Sequence, residues 1–207
     1  MSPSPLPLGV LVSGRGTNLM AIHAAIARGE LAARVVLVAS NRPEAPAIAW
    51  ARAQGLPVAL FPRRDYASRA AAQAALARAL QAAGAELVVL AGWDQVLTPE
   101  FVATFTGRLM NIHPSLLPAF AGTMHAVEEA LAWGVKVSGC TVHYVTAEVD
   151  AGPIILQAAV PVYDDDTPAT LLARIHEQEH HLLPQAIALH AAGRLRVEGR
   201  RVRILPP

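Results

Sequence analysis

The chain has 207 residues, 53% of them apolar and 16% charged. That is enough apolar material for a packed core, which excludes intrinsic disorder. Lys plus Arg total 17 against 16 Asp plus Glu, a net charge of +1, so no global field draws in nucleic acid or an anionic membrane. At roughly 150 residues per domain, the length falls between one domain and two. Cys140 is the one cysteine. Neither an intrachain disulfide nor a cysteine-rich zinc site is available to it, in keeping with a reducing cytoplasm. The opening stretch, MSPSPLPLGVLVSG, has no basic n-region, and prolines interrupt its apolar run. No apolar stretch approaches the roughly 20 residues that span a bilayer. The expectation is a soluble, cytoplasmic, single-core protein.

In chain order, strands are predicted at Leu8–Ser13, Arg34–Ser40, Val58–Phe61, Glu86–Ala91 and Leu109–His113. Helical patterns lie between them: Asn18–Arg28, Pro46–Gln54 and the Ala-rich Ser68–Ala83. Each is closed by glycine (Gly29, Gly55, Gly84), the usual helix stop. Thr98-Pro99 supplies an N-cap followed by proline at the first helical position. Runs such as VVLVAS and LVVLAG are apolar on both faces, as in strands covered by helices on each side. After about residue 134 the pattern changes. Val137–Val145 and Pro153–Val160 read as an antiparallel pair, followed by a long helix from Thr167 to about Ala192, bent at Pro184, and a hairpin around Gly199. The fold class is α/β: a doubly wound, mostly parallel sheet with an antiparallel C-terminal part. With no repeat and no linker, a single domain spanning 1–207 is expected.

Three motifs carry chemistry. The first is Ser13-Gly14-Arg15-Gly16-Thr17-Asn18-Leu19, between the first strand and the first helix. Glycines there let the backbone approach a ligand, and the helix N-terminus favours a phosphate. A dinucleotide fingerprint requires a third glycine, and Leu19 stands there. The second strand ends in Ser40-Asn41-Arg42 without the ribose-binding acid, although Arg42 offers a partner to an NADP 2′-phosphate. A phosphate monoester site, an NADP site and a plain tight turn are the three readings.

The second motif is Asn111-Ile112-His113-Pro114. The two-residue period of a strand puts Asn111 and His113 on one face at a strand end, where open α/β sheets bind ligands. An amide donor beside an imidazole suits a reaction that builds negative charge on a carbonyl oxygen. The bland alternative is a hydrogen-bonded strand end. Asp150, in the turn before Ala151-Gly152-Pro153, either keeps such a histidine protonated or is an ordinary turn aspartate.

The third is His176-Glu177-Gln178-Glu179-His180, which matches the zinc-hydrolase pattern H-E-x-x-H. No third ligand is signalled nearby. The apolar stripe Leu171, Ile175, Leu182, Ala186 makes Glu179, not Glu177, the inward-facing acid. A buried carboxylate needs a cation or hydrogen-bond donors, such as a ligand amine or hydroxyl. A solvated helix face is the alternative. Arg69 opens the Ala-rich helix, where a cation opposes the dipole and an anionic partner offsets the penalty. The Arg-rich tail (Arg194, Arg196, Arg200, Arg201, Arg203) is read as a solvated hairpin face, with RNA contact the less favoured reading at this net charge.

The segments SGRGTNL, VVLAGW, GRLMNIHPSLLP, GCTVHYVTAEVDAGPII and QEH occur in order from Leu8 onward. Together they resemble the phosphoribosylglycinamide formyltransferases, folate-dependent enzymes of purine synthesis. The resemblance covers essentially the whole chain. It implies an N-terminal phosphate-binding half of about 6–110 and a C-terminal folate and catalytic part of about 111–207. It implies formyl transfer from 10-formyltetrahydrofolate, as co-substrate, to the amine of glycinamide ribonucleotide, with no metal. Asn111, His113 and Asp150 would be catalytic. Gly16, Thr17, Asn18, His176 and Glu179 would bind the ribonucleotide. Arg69, Asp94, Gln95, Val96, Leu97, Asn111, Thr146, Ala147, Glu148, Val149 and Asp150 would line the formylfolate site. The family usually has Met-Arg where Asp94-Gln95 stands, so an expected cation is replaced and an anion sits beside it. Ala121-Gly122-Thr123-Met124 likewise departs from the common proline-glycine. The related methionyl-tRNA formyltransferases and formyltetrahydrofolate deformylases carry further domains for which the chain has no evident room. Alternatives are a formyltetrahydrofolate hydrolase, a formyltransferase for another amine and, more remotely, an NADP oxidoreductase or a zinc hydrolase.

Overall fold

The structure, a computed structural model, describes residues 4–206. The chain divides into two compact units, one through Met110 and one from Asn111. In the first unit strands β1 (Leu6–Val12), β2 (Ala33–Ser40), β3 (Val58–Leu60) and β4 (Leu87–Leu90) alternate with helices α1 (Thr17–Ala27), α2 (Pro46–Ala53), α3 (Arg69–Ala82) and α4 (Pro99–Thr104). A short 3-10 turn covers Arg63–Asp65. The strand order is β3-β2-β1-β4, and the pairs β1–β2, β1–β4 and β2–β3 are all parallel.

Sequence explains this order. Leu87–Leu90 is buried along its whole length, and β1 is buried from Pro7 onward. Such strands have no solvated face, so helices must cover both sides. Leu8, Leu11, Leu19, Ile22, Leu80 and Leu87 are completely buried. Truncating any one of them to alanine costs about 2–5 kcal/mol. Each of the first three helices ends two residues before a left-handed glycine, at Gly29, Gly55 and Gly84. Ser68 accepts from the Ala71 N–H and Thr98 from the Phe101 N–H, capping α3 and α4.

β5 (Leu109–His113) carries the chain into the second unit, which contains α5 (Ala126–Trp133), β6 (Val137–Tyr144), β7 (Ile154–Pro161), α6 (Pro168–Ala191), β8 (Leu195–Glu198) and β9 (Arg201–Ile204). β6 and β7 are antiparallel, β9 joins β7 in parallel, and β8–β9 is an antiparallel hairpin turning at Gly199. The fold is the α/β class expected, with its mostly parallel sheet and antiparallel C-terminal strands. Helix α5 was not predicted. It is only 8 residues long and no side chain caps its N-terminus, so the sequence carries little start signal. Pro184 does not interrupt α6, a 24-residue helix whose N-terminus is fixed by a Thr167–Thr170 capping box with Pro168 in the first turn.

Candidate active site

In the second unit, β5 presents two polar side chains next to the 145–153 loop. Asp150 lies in that loop with φ 52°, a left-handed conformation that a non-glycine residue adopts only when its surroundings hold it there. Its Oδ2 accepts from the Gly122 N–H at 2.9 Å and lies 3.4 Å from His113 Nδ1. Its Oδ1 lies 3.6 Å from His143 Nε2. Phe120 also has positive φ, 56°, and its carbonyl sits 2.9 Å from His113 Nε2. Both ring nitrogens of the buried His113 therefore face oxygen acceptors. Burial pushes the Asp150 carboxyl up. The His143 hydrogen bond, the charge of His113 and the Gly122 N–H outweigh that and bring it below the usual carboxylate value.

Of the two β5 residues, His113 lies against the Asp150 carboxylate and Asn111 against His143, which itself lies 3.6 Å from that carboxylate. His143, on β6, is the member that the sequence reading missed. Its Nδ1 lies 3.0 Å from the Tyr144 carbonyl oxygen, and its Nε2 faces both Asn111 Nδ2, at 3.1 Å, and Asp150 Oδ1, at 3.6 Å. That contact fixes the Asn111 amide and leaves its second hydrogen for another acceptor. The available signal was a lone imidazole in the buried strand run Val137–Tyr144. Gly152 shapes the loop from below: a Cβ there would lie 1.7 Å from the Tyr144 carbonyl oxygen.

Thr146, Ala147, Glu148 and Val149 are exposed along the same loop as Asp150. On α6, Glu179 is buried and Glu177 exposed, as the apolar stripe requires. His176 Nε2 lies 3.9 Å from Glu179 Oε2. Burial, with the charge of Glu179 adding to it, pushes the Cys140 thiol up to about 12, so it is no nucleophile at neutral pH. His176 and His180 stack with centroids 6.0 Å apart. Among the described residues no group of three or more His, Cys, Asp or Glu side chains is placed to hold a metal ion. His176 and His180 of the H-E-x-x-H pattern belong to no such group among the described residues.

In the first unit, α1 starts at a left-handed Gly16 (φ 76°) with no side-chain cap and no acid in its first turn. Its positive end is left uncompensated, which suits an anion. A Cβ on Gly16 would lie 2.5 Å from the Ala47 Cβ, so only glycine brings the chain this close. Thr17 is half-buried and Asn18 buried at this turn. Arg69 is exposed at the first position of α3. Asp94 does not stand open in place of the usual cation: it accepts from Asn41 Nδ2 at 2.7 Å and pairs with Arg42. Arg42, the residue considered for an NADP 2′-phosphate, is thereby engaged. Gln95 and Leu97 are half-buried, and Val96 is exposed.

The formyl transferase family model matches residues 8–187. The phosphoribosylglycinamide formyltransferase of Haemophilus influenzae is 39% identical over 191 residues, covering 92% of this chain and 90% of that protein. The trifunctional purine biosynthetic protein adenosine-3 of Drosophila melanogaster is 46% identical over 189 residues; the match takes in 90% of this chain but only 14% of that protein. The crystal structure of glycinamide ribonucleotide transformylase 1 from Symbiobacterium toebii superimposes with a TM-score of 0.96 at 50% identity, covering 99% of this chain and 96% of that one. An amide, two imidazoles and a carboxylate around one point on a formyl transferase fold define a group-transfer enzyme. The chain belongs to the formyl transferase family, and the relatives that it matches nearly end to end are named for glycinamide ribonucleotide.

Proposed function

We propose that this protein transfers the formyl group of 10-formyltetrahydrofolate to the primary amine of glycinamide ribonucleotide in purine synthesis. The grouping of His113 and His143 on Asp150, with Asn111 held against His143, carries this reading. The amine nitrogen attacks the formyl carbon and a tetrahedral oxyanion forms. The second Asn111 amide hydrogen donates to that oxygen, and the His113 imidazolium stabilises its charge; one such donor is worth about 3–4 kcal/mol in the transition state. Asp150 keeps His113 charged and, through a water, takes the proton lost by the attacking nitrogen. The bond from the formyl carbon to N10 then breaks, N10 takes up a proton, and tetrahydrofolate leaves. Holding two substrates together supplies much of the remaining acceleration. No step invokes a metal.

Gly16, Thr17 and Asn18 bind the phosphate end of the ribonucleotide in this reading, with His176 and Glu179 toward its ribose and glycinamide. Arg69, Asp94–Leu97 and Thr146–Asp150 line the formylfolate site. Their residue types fit: an uncapped helix end for a phosphate, and a buried carboxylate for hydroxyl or amine donors. The enzyme acts in the cytoplasm, as a monomer or homodimer. No described helix is long and apolar enough to cross a membrane.

The test is an absorbance assay of formylfolate consumption, run with and without glycinamide ribonucleotide. Consumption that requires the nucleotide is expected. Consumption without it would make the protein a formylfolate hydrolase, and transfer only to a different amine would replace the acceptor.

A further inference from the structure

The segment 92–98 carries more anchoring than its length calls for. Its start is bound to β1, with the Ser13 N–H donating to the Gly92 carbonyl at 2.9 Å. A closed ring of hydrogen bonds follows. The Asp94 N–H donates to Ser13 Oγ (3.1 Å), Ser13 Oγ donates to Asn41 Oδ1 (2.6 Å), and Asn41 Nδ2 donates back to Asp94 Oδ1 (2.7 Å). The other Asp94 oxygen pairs with Arg42. At the far end, the side chain of Gln73 on α3, 1% exposed, clamps the chain twice. Its amide donates to the Val96 carbonyl at 3.0 Å and its oxygen accepts from the Thr98 N–H at 2.7 Å.

Trp93 stands between the Gly92 and Asp94 anchors. Trp93 is buried and its Nε1 has no hydrogen-bond partner. A buried donor without an acceptor favours any rearrangement that brings it to water. The anchors at Asp94 and Gln73 oppose that rearrangement and fix Gln95, Val96 and Leu97 for a ligand.

We infer that Asp94 and Gln73 are positioning residues for the formylfolate site. Asp94 acts by fixing the 92–98 segment to the ends of β1 and β2, in place of a side-chain contact with the ligand. The inference rests on the assignment of Gln95–Leu97 to formylfolate made above. An order formed before binding need not be formed at binding, so its loss shows as weaker affinity.

The experiment compares Asp94→Ala, Asp94→Asn and Gln73→Ala with the unsubstituted protein. Asp94→Ala is expected to raise KM for 10-formyltetrahydrofolate about tenfold, with kcat and the ribonucleotide KM moving less than about threefold. Asp94→Asn keeps an acceptor for Asn41 but loses the Arg42 charge pair, and should fall between. Trp93 emission is read in a background in which the other two of the three tryptophans, Trp50 and Trp133, are replaced by Phe. It should shift to longer wavelength in Asp94→Ala, and amide exchange over 92–98 should quicken. An unchanged formylfolate KM overturns the inference. So does an equal loss in every kinetic constant with a broad fall in Tm, the mark of a merely structural residue. If the unsubstituted protein transfers no formyl group to the ribonucleotide, the functional reading fails instead, and Trp93 emission and amide exchange still decide whether Asp94 anchors the segment.

Discussion

The two units hold their polar groups in different ways. The first has an uncapped helix start at Gly16 and a segment pinned by the Ser13–Asn41–Asp94 ring, in which donors and acceptors are matched. The second gathers titratable side chains. Asp150 faces two imidazoles, and it and Phe120 both sit in left-handed backbone. A site that binds an anion needs geometry and a helix end. A site that stabilises developing charge needs ionised groups held against their own preferences. Substitutions in the second unit should therefore strike turnover, and those in the first should strike affinity.

The largest effect is expected at His113 and Asp150. His113→Ala should lower kcat by about 10²–10⁴ or more while Tm and ribonucleotide binding change little. Asp150→Asn removes the charge facing both histidines and should fall in the same range. Near-normal kcat in that variant would take Asp150 out of the mechanism. The depressed Asp150 value also sets the pH dependence: the acid limb attributable to it should lie lower than an ordinary carboxylate would put it. Asn111→Ala comes next, at about 10²–10³ in kcat. His143→Ala acts only through Asn111 and Asp150. A smaller kcat loss, with an unchanged ribonucleotide KM, is the result to look for in steady-state kinetics.

In the first unit the contrasting expectation is an affinity effect. Gly16→Ala forces a side chain into left-handed backbone and against the Ala47 Cβ. The ribonucleotide KM should rise at least about tenfold, read by initial rates at saturating formylfolate, from displacement of the α1 start. A fall in kcat with unchanged KM would mean that the loop serves the chemistry and not the phosphate.

These contrasts also explain what the sequence revealed. Asn111 and His113 were legible because polar residues two apart stand out on an apolar strand. Gly16 was legible because strand, glycine and helix lie within a few residues. Glu179 was legible because it interrupts a helical stripe. His143 was not, because the strand pattern of β6 tells which face it lies on but not that the 145–153 loop brings Asp150 to it. Asp94 was read as an anion beside a ligand, since its partners lie 53 residues away at Asn41 and 81 away at Ser13. Local pattern reports on residues near in sequence; a hydrogen-bond ring closed across three strand ends leaves no such trace.

The smallest expected effect separates a structural carboxylate from a functional one within the same unit. Asp166 is also held below the usual carboxylate range, first by its hydrogen bond with Arg174 and then by the Tyr163 N–H. A carboxyl whose value falls on folding adds stability above its unfolded value, near 3.8, and that contribution is lost as pH drops through the folded value. Asp166→Asn should therefore lower Tm slightly at pH 7, with the difference from the parent shrinking in acid and with added salt. Its kcat should be unaltered, because Asp166 caps the entry to α6 through Thr170 and Arg174 and takes no part in the Asp150 cluster. A Tm gap that persists at strongly acidic pH would assign the Asp166 contribution to shape, not charge. A lowered kcat would mean that the α6 entry, and with it the setting of Glu179, is coupled to turnover, blurring the division between charge that holds the fold and charge that does the chemistry.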